Sequence, residues 1–315
     1  MTNPLFDMTG KVALITGSTK GIGRAIAEEM ARLGAKVVIS SRKAEACEQV
    51  ASELKAQGYE AIAIPCHVGK KDQLQNLVDK TNEAWGTIDV LVCNAATNPV
   101  YGTTAEMTDD AWDKIMDTNV KGTFWLTNMV LPQMAEKGEG AVVLLSSIAG
   151  IRGNTTIGTY GVSKAAEAAL ARNLAVEWGP KGIRINSIAP GLIKTDFARA
   201  LWEDPVRVKR AEDKTPLRRI GDPVDIAGLA VFLSTRASAY ITGQVIHLFA
   251  GHRQRPIRAA QKAAWQNPAL RSHGGTGVQS HACPVRANQR PGAKHPGPVR
   301  RQQCHRHPVL RHGLP

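Results

Sequence analysis

Four polar residues from three separate segments of the chain have the chemical types needed for proton transfer: Asn119, Ser147, Tyr160 and Lys164. Tyr160 and Lys164 are four positions apart in the segment YGVSK, so in a helix their side chains leave the same face, one turn apart. An ammonium beside a phenol favours the phenolate, and it would bring the pKa of Tyr160 down from about 10 toward neutral pH. We predict that Tyr160 exchanges a proton with a substrate and that Lys164 assists it.

Ser147 fits the same chemistry because it ends an apolar run, AVVLLSS, thirteen residues before Tyr160. A hydroxyl at that position could hold the carbonyl oxygen that the tyrosine protonates. Each residue taken alone also has an ordinary structural explanation: Ser147 as a helix cap, Asn119 as a turn residue and Tyr160 as a half-buried aromatic. Their occurrence together with a nucleotide-binding pattern favours the chemical interpretation.

That nucleotide-binding pattern is the segment ITGSTKGIG, in which Gly17, Gly21 and Gly23 have the spacing G-x-x-x-G-x-G. Glycines let the backbone turn sharply and approach a pyrophosphate, and the positive end of the following helix attracts the phosphate charge. The alternative is an ordinary glycine-rich turn between a strand and a helix. Its position after the first predicted strand favours a dinucleotide site for a hydride carrier.

The second predicted strand ends in the segment SSRK, which contains Ser41, Arg42 and Lys43 but no acidic residue. Enzymes that use NAD usually place an acid there to accept from the ribose hydroxyls. Two cations, together with Lys20 just before Gly21, suit a 2′-phosphate instead. The sequence therefore predicts NADP(H) rather than NAD(H), with a solvated helix start as the alternative explanation for the two cations.

Short Val/Ile/Leu-rich runs alternate with longer amphipathic segments along the chain, which indicates an α/β fold with a doubly wound parallel sheet, that is, a Rossmann fold. The predicted strands are 11–16, 36–41, 59–65, 88–94, 141–147 and 183–190, with a last one beginning in ITGQVI. The predicted helices are 21–34, 44–57, 70–85, 109–137, one that carries Tyr160 to about residue 179, and 223–234. Segment 191–220 has no clear period, and we predict a long loop that covers the active site.

The net charge of +13 is unevenly distributed over the 315 residues. Residues 1–246 hold 28 Lys and Arg against 27 Asp and Glu, whereas residues 247–315 hold 12 Lys and Arg and no acidic residue. This last segment also has eight prolines and no apolar period, which is typical of disorder. We therefore predict one catalytic domain over 1–250 and a disordered basic tail over 251–315.

Three interpretations of the tail remain open. Its unopposed cations could bind nucleic acid or another anionic surface. Its Cys and His residues could bind a metal ion, but their spacing matches no standard zinc pattern and we expect no metal: Cys283, Cys304, His305 and His307. The abrupt change in composition favours the third interpretation, translation in a different frame after about Ile246 in place of a short native ending.

Three features of the sequence indicate where the protein is located. Cys47, Cys66 and Cys93 show neither a disulfide pattern nor metal-ligand spacing, which fits a reducing compartment. No signal peptide is evident at the start, and no apolar run reaches the roughly 20 residues that span a bilayer. We expect a cytoplasmic protein without a membrane span.

Taken together, the motifs resemble those of the short-chain dehydrogenase/reductase family, over about 1–246 and in the same order. They are TGSTKGIG (16–23), CNAA (93–96), TNVKG around Asn119, SSIAG (146–150), YGVSK (160–164) and IAPGLIKT (188–195). The pattern is most similar to the NADP-dependent retinal/carbonyl reductase branch, and next to the bacterial 3-oxoacyl-carrier-protein reductases. The resemblance implies hydride transfer between a nicotinamide cofactor and a ketone or aldehyde, and a homo-oligomer, either a tetramer or a dimer.

The resemblance also implies a role for each site residue. Tyr160 would donate the proton, Ser147 would polarise the substrate oxygen, Lys164 would bind the nicotinamide ribose, and Asn119 would hold a water that links Lys164 to solvent. The implied cofactor-binding set is Gly17, Ser18, Lys20, Gly21, Ile22, Gly23, Ser41, Arg42, Lys43, His67, Val68, Asn94, Ala95, Tyr160, Lys164, Pro190, Gly191, Ile193 and Thr195.

Two departures from the family pattern stand out. His67 replaces the usual aspartate after the third strand, and the chain continues far beyond the usual ending. A small carbonyl or alcohol substrate is implied without its identity. The alternatives are a 3-oxoacyl-thioester reductase and, from another class, a nucleic-acid-binding protein that uses the basic tail, although we expect no nucleic acid partner.

Overall fold

The computed structural model describes residues 3–249, and within them seven parallel strands form one sheet in the order β3-β2-β1-β4-β5-β6-β7. The strands are β1 (Val12–Thr16), β2 (Lys36–Ser40), β3 (Ala61–Ala63), β4 (Val90–Cys93), β5 (Gly140–Leu145), β6 (Ile183–Pro190) and β7 (Val245–Leu248). The order runs outward from β1 in one direction and from β4 in the other. This is the predicted doubly wound sheet of a Rossmann fold.

Helices cover both faces of the sheet. They are α1 (Gly21–Arg32), α2 (Ala44–Ala56), α3 (Lys71–Trp85), α4 (Asp109–Met116), α5 (Gly122–Lys137), α6 (Gly158–Trp178), α7 (Arg199–Trp202), α8 (Pro205–Lys214) and α9 (Pro223–Ser234). The apolar core on one face is formed with α1, α2 and α9, and the core on the other face with α3, α5 and α6.

The sequence of β1 shows why the strands read as continuous apolar runs. Ala13 and Ile15 belong to the core under α1, whereas Val12 and Leu14 belong to the core on the opposite face. Alternate side chains of a strand point to opposite faces, so a strand that is covered twice needs apolar residues at every position.

Two predicted elements are shorter or interrupted in the structure. The predicted strand 59–65 is a regular strand only over Ala61–Ala63, although single backbone hydrogen bonds to β2 continue at Glu60 and Ile64. The predicted helix 109–137 is interrupted by a π-helical turn, Asp117–Lys121, which carries Asn119. A single such turn inside a helix is a recurrent feature of functional sites.

The prediction of a long loop over 191–220 is wrong, since α7 and α8 lie within it. These two helices carry charged side chains that pair with each other, and they do not show a regular apolar face. Arg199 lies 3.5 Å from Glu203, and Lys209 lies 3.4 Å from Asp213, both at the i, i+4 spacing. Helices supported by such pairs have no apolar period for a sequence to display.

The last strand, β7, runs in register with β6 from Ser187↔Val245 to Pro190↔Leu248, past Ile246. All described residues belong to a unit that spans Met1–Gln254. The tail 251–315 lies outside the described residues, so its disorder, its partners and the domain boundary near residue 250 stay predictions. No helix in the described part is long and apolar enough to cross a membrane, and no group of three or more potential metal ligands occurs there.

Arg184 of β6 holds the end of α9 and the turn that follows it. Its guanidinium donates to the backbone oxygens of Leu233, Thr235 and Ser238. Three carbonyls would lose their donor in Arg184→Met, so we expect the free energy of unfolding to fall by about 2–4 kcal/mol in urea titrations. Arg236→Met, on the exposed side of the same turn, is the matched control; equal stability of the two variants would contradict the anchoring role.

Candidate active site

The end of β5 is tied directly to α6, and this tie positions Tyr160 and Lys164. Ser146 Oγ donates to the backbone oxygen of Lys164 at 2.7 Å, and Lys164 Nζ donates to the backbone oxygen of Leu145 at 2.6 Å. Lys164 Nζ lies 5.6 Å from the centre of the Tyr160 ring. The structure therefore brings together the Tyr160 and Lys164 side chains that the sequence singled out.

Close packing of the turn after β5 against α6 brings Ser147 to the same place. A Cβ on Gly161 would lie 2.6 Å from the backbone oxygen of Ala149, so only glycine permits this approach. Ser147 Oγ accepts from the backbone N–H of Ala149 at 3.1 Å and also hydrogen-bonds the phenol of Tyr160. The helix-cap interpretation of Ser147 is thus correct, and it coexists with contact to the tyrosine.

The predicted lowering of the pKa of Tyr160 is wrong in net direction. Burial raises the pKa above its ordinary value, and this effect outweighs the opposing attraction of Lys164 and the hydrogen bond from Ser147. Lys164 acts in the predicted direction, but the carboxylate of Glu167 acts against it. Tyr160 consequently carries its proton at neutral pH.

Glu167 is the site residue that sequence reasoning missed. Its Oε2 lies 2.6 Å from Lys164 Nζ, and both residues are only 1% exposed. Burial raises the pKa of Glu167 to about 7, against the attraction of Lys164. Burial lowers the pKa of Lys164, but the attraction of Glu167 and Tyr160 outweighs this effect, so the pKa lies above its ordinary value. The available signal was an acid one turn after Lys164 in the otherwise small and apolar stretch AAEAALA.

Asn119 holds the segment after β4 against α6. Its Nδ2 donates to the backbone oxygen of Thr97 and to Ser163 Oγ, each at 3.0 Å, and its Oδ1 accepts from the backbone N–H of Thr97 at 2.8 Å. The side chain is fully buried and its polar atoms are engaged with protein groups. Its implied role in holding a water stays a prediction.

The glycine-rich turn after β1 has the geometry of a phosphate-binding loop. Gly17 and Gly21 have φ angles of +67° and +57°, which favour glycine, and a Cβ on Gly23 would lie 2.4 Å from the backbone oxygen of Gly17. Asn94 Nδ2 donates to the backbone oxygens of Thr16 and Gly17, at 2.9 and 3.1 Å. The backbone at the start of α1 is therefore free of side chains that would block it. A pyrophosphate could accept hydrogen bonds from the backbone N–H groups there and would be favoured by the helix dipole.

A cavity of about 490 Å³ joins this loop to Tyr160 and Lys164 at the carboxyl edge of the sheet. It is lined by most of the implied cofactor residues: Gly17, Lys20, Gly21, Ile22, Ser41, Arg42, Lys43, His67, Val68, Asn94, Ala95, Tyr160, Lys164, Pro190 and Thr195. It is also lined by residues that the sequence did not indicate, among them Thr19, Cys66, Lys114 and Phe197.

Four implied cofactor residues lie apart from the lining of this cavity. Ser18 is buried and bridges β1 to β2, since its Oγ donates to the backbone oxygen of Ile15 and accepts from the N–H of Ser40. Gly23 acts through the shape of the loop. Gly191 and Ile193, in the segment after β6, line a second cavity.

Cations surround the end of the cavity beside β2. Arg42 and Lys43 line it there, and His67 lies next to them. Burial lowers the pKa of His67, with further lowering by Arg42, so the imidazole is neutral at neutral pH. Lys20 is oriented elsewhere: its Nζ lies 3.3 Å from Asp196 Oδ2, across the opening of the cavity.

Comparison with known proteins identifies the class that this fold and site define. Residues 17–252 match a family model described as enoyl-(acyl carrier protein) reductase. The chain is 42% identical over 249 residues to dehydrogenase/reductase SDR family member 4 of Bos taurus, covering 79% of this chain and 88% of that protein. It is 42% identical over 239 residues to the mitochondrial SDR family member 2 of Homo sapiens, covering 76% and 85%. The chain belongs to the short-chain dehydrogenase/reductase family, whose members are oxidoreductases that act on CH–OH groups with a nicotinamide cofactor.

Solved structures of the same class superpose closely on the described fold. One is a 7α-hydroxysteroid dehydrogenase complexed with NADH and 7-oxo glycochenodeoxycholic acid, with a TM-score of 0.77, 34% identity, and coverage of 81% of this chain and 99% of that one. Another is a gluconate 5-dehydrogenase from Burkholderia cenocepacia in complex with NADP and tartrate, with a TM-score of 0.76, 30% identity, and coverage of 79% and 97%. The class therefore includes users of either nicotinamide dinucleotide.

Gly23→Ala tests whether the loop geometry is needed for nucleotide binding. The new methyl group would clash with the backbone oxygen of Gly17, so the turn must move and the phosphate donors lose their alignment. We expect dinucleotide affinity, measured by fluorescence titration, to fall at least about tenfold. Gly228→Ala is the control, because nothing lies within 4 Å of its added Cβ on α9. Unchanged affinity in Gly23→Ala would contradict the assignment of the loop.

Proposed function

We propose that this chain is an NADP(H)-dependent oxidoreductase that interconverts a ketone or aldehyde and an alcohol. One observation carries the proposal: a single cavity joins the glycine-rich loop to Tyr160 and Lys164. A dinucleotide laid from the loop along the carboxyl edge of the sheet would end beside the phenol, which is where a hydride and a proton must meet.

The chain's own residues would position the substrate and move the proton. The nicotinamide supplies the hydride when it is bound. Tyr160, protonated at neutral pH because burial raises its pKa, would donate to the substrate oxygen during reduction. Ser147 would hydrogen-bond that oxygen as negative charge develops on it. Lys164 would favour the resulting phenolate and hydrogen-bond the nicotinamide ribose, and Asn119 would keep the neighbouring backbone in place.

Tyr160→Phe tests this role, since it removes the donated proton and leaves the ring. We expect turnover with NADPH, followed by loss of nicotinamide absorbance over a panel of ketones and aldehydes, to fall by about 10²-fold or more. Binding of NADPH should persist. Tyr240→Phe, at a fully exposed tyrosine, is the matched control. Full turnover in Tyr160→Phe, or no binding of any nicotinamide dinucleotide by the wild type, would overturn the proposal.

The preference for NADP(H) rests on charge. Arg42 and Lys43 line the cavity directly after β2, and residues 41–43, which follow that strand, include no carboxylate that could accept from the ribose hydroxyls. Two cations at that point suit a 2′-phosphate, which Arg recognises through paired hydrogen bonds. Lys20 would be able to join them only by leaving Asp196.

Arg42→Asp should reverse this preference, because a carboxylate repels the 2′-phosphate and accepts from a free ribose hydroxyl. We expect the ratio of kcat/KM for NADPH over NADH to fall by about 10- to 100-fold, the worth of one charge-assisted hydrogen bond. Lys55→Asp on the exposed side of α2 controls for net charge. An unchanged ratio in Arg42→Asp would show that the 2′-phosphate does not lie there.

Reduction of a 3-oxoacyl thioester is the second candidate. The matched family model is described as an enoyl-(acyl carrier protein) reductase, which reduces a C=C bond rather than a 3-oxo group. What favours this candidate is therefore only the shared acyl-carrier thioester, not the bond that is reduced. A 3-oxoacyl thioester included in the substrate panel separates the two, since the better substrate would have the higher kcat/KM.

A homo-oligomer, either a dimer or a tetramer, is part of the proposal. Large apolar side chains on the outer faces of α5 and α6 are exposed: Phe124 is 48% exposed, Val162 48% and Val176 80%. Apolar residues grouped on neighbouring helices of one surface suit contact with a second copy of the chain. We also propose a cytoplasmic location, a small-molecule substrate and no nucleic acid partner.

A further inference from the structure

A buried ion pair lies beneath the proposed proton donor. Glu167 follows Lys164 by one turn of α6, its Oε2 is 2.6 Å from Nζ, and both side chains are almost fully enclosed. Lys164 Nζ has a second oxygen partner, the backbone carbonyl of Leu145. A buried charge without a partner is costly, so the two groups depend on each other.

Few charged or titratable groups face the carboxylate. Tyr160 and Lys164 lie on its own helix, and Cys93 faces it from β4; burial and Glu167 raise the pKa of that thiol, so it is neutral. Within residues 3–249, Glu167 Oε2 has no hydrogen bond of good alignment, although Lys164 Nζ is close by. Lys164 therefore supplies the charge that compensates Glu167.

The pairing of Lys164 with Glu167 changes the electrostatic potential at the phenol of Tyr160. An isolated ammonium would draw the phenol toward the phenolate, but a carboxylate beside that ammonium cancels part of its field. Accordingly, Lys164 lowers the pKa of the phenol and Glu167 raises it. The charge on Glu167 thus offsets part of the effect that Lys164 has on the proton of Tyr160.

We propose that Glu167 is a positioning residue of the reaction, which fixes the ammonium of Lys164 and controls how readily Tyr160 gives up its proton. The inference rests on the proposed function, because it assigns Tyr160 the proton transfer.

The charge state of Glu167 gives the direction of this control. At a pH well above about 7 the carboxyl group is ionised, the charge of Lys164 is partly cancelled, and Tyr160 retains its proton. Below that value the carboxyl group is protonated, Lys164 acts unopposed, and the phenol is more acidic. Removal of the charge must therefore make the Tyr160–Lys164 pair lose its first proton at lower pH.

Glu167→Gln tests the inference, because it removes the charge and preserves the shape. The pH profile of kcat/KM is measured for oxidation of the alcohol product with NADP⁺, which requires the phenolate. We expect its rising limb to move to lower pH by about one unit or more, the usual effect of one nearby charge. Glu177→Gln, an exposed acid on the same helix, should retain the wild-type profile. Superimposable profiles for Glu167→Gln and the wild type would overturn the inference.

A second measurement needs no turnover. Tyrosinate absorbance is titrated in the wild type and in Glu167→Gln, each after subtraction of the corresponding Tyr160→Phe background. A band that appears at lower pH in Glu167→Gln supports the inference, even if the wild type reduces nothing in the panel and the proposed function fails. If the pH at which tyrosinate absorbance appears and the rising limb of the kcat/KM profile are both unchanged in Glu167→Gln, the inference is overturned while the proposed function stands. Glu167→Leu, which removes the same charge at a similar side-chain volume, replaces Glu167→Gln if that variant does not fold.

Discussion

The ammonium of Lys164 is the group on which the arrangement of the site depends. It reaches from α6 to the last carbonyl of β5, and the backbone oxygen of the same residue accepts from Ser146, so strand and helix are joined at two points. The turn that carries Ser147 follows directly after these points, and Tyr160 lies one turn before Lys164 on the helix. A charge buried at a sheet–helix junction thus aligns the reacting side chains while it sets their electrostatics.

The sequence was most informative where local chemistry and global fold coincide. Apolar runs such as β1 must be apolar at every position because both faces are covered, so the parallel sheet could be predicted. Gly17 and Gly21 require φ angles that only glycine adopts easily, and Tyr160 and Lys164 share a helix face. These features depend on the residue itself and on neighbours within a few positions.

What could not be predicted depends on contacts between distant segments. The burial of Glu167 results from the packing of α6 against the sheet, and no local pattern distinguishes a buried acid from a solvated one. The helices in 191–220 are held by charged pairs and lack the apolar period that marks a core helix. The upward shift in the pKa of Tyr160 was missed for the same reason, since burial by distant segments outweighs the predicted effect of Lys164, and Glu167 adds to the upward shift.

The contact between Lys20 and Asp196 has a consequence for how the cavity is entered. It joins the loop after β1 to the segment after β6 across the opening, and both side chains are largely exposed. An exposed pair contributes little to stability and is screened by salt, so it acts as a weak closure that opens often. Entry of a polyanionic ligand can exchange one partner of Lys20 for another without unpairing the cation, and its association rate should therefore depend on ionic strength.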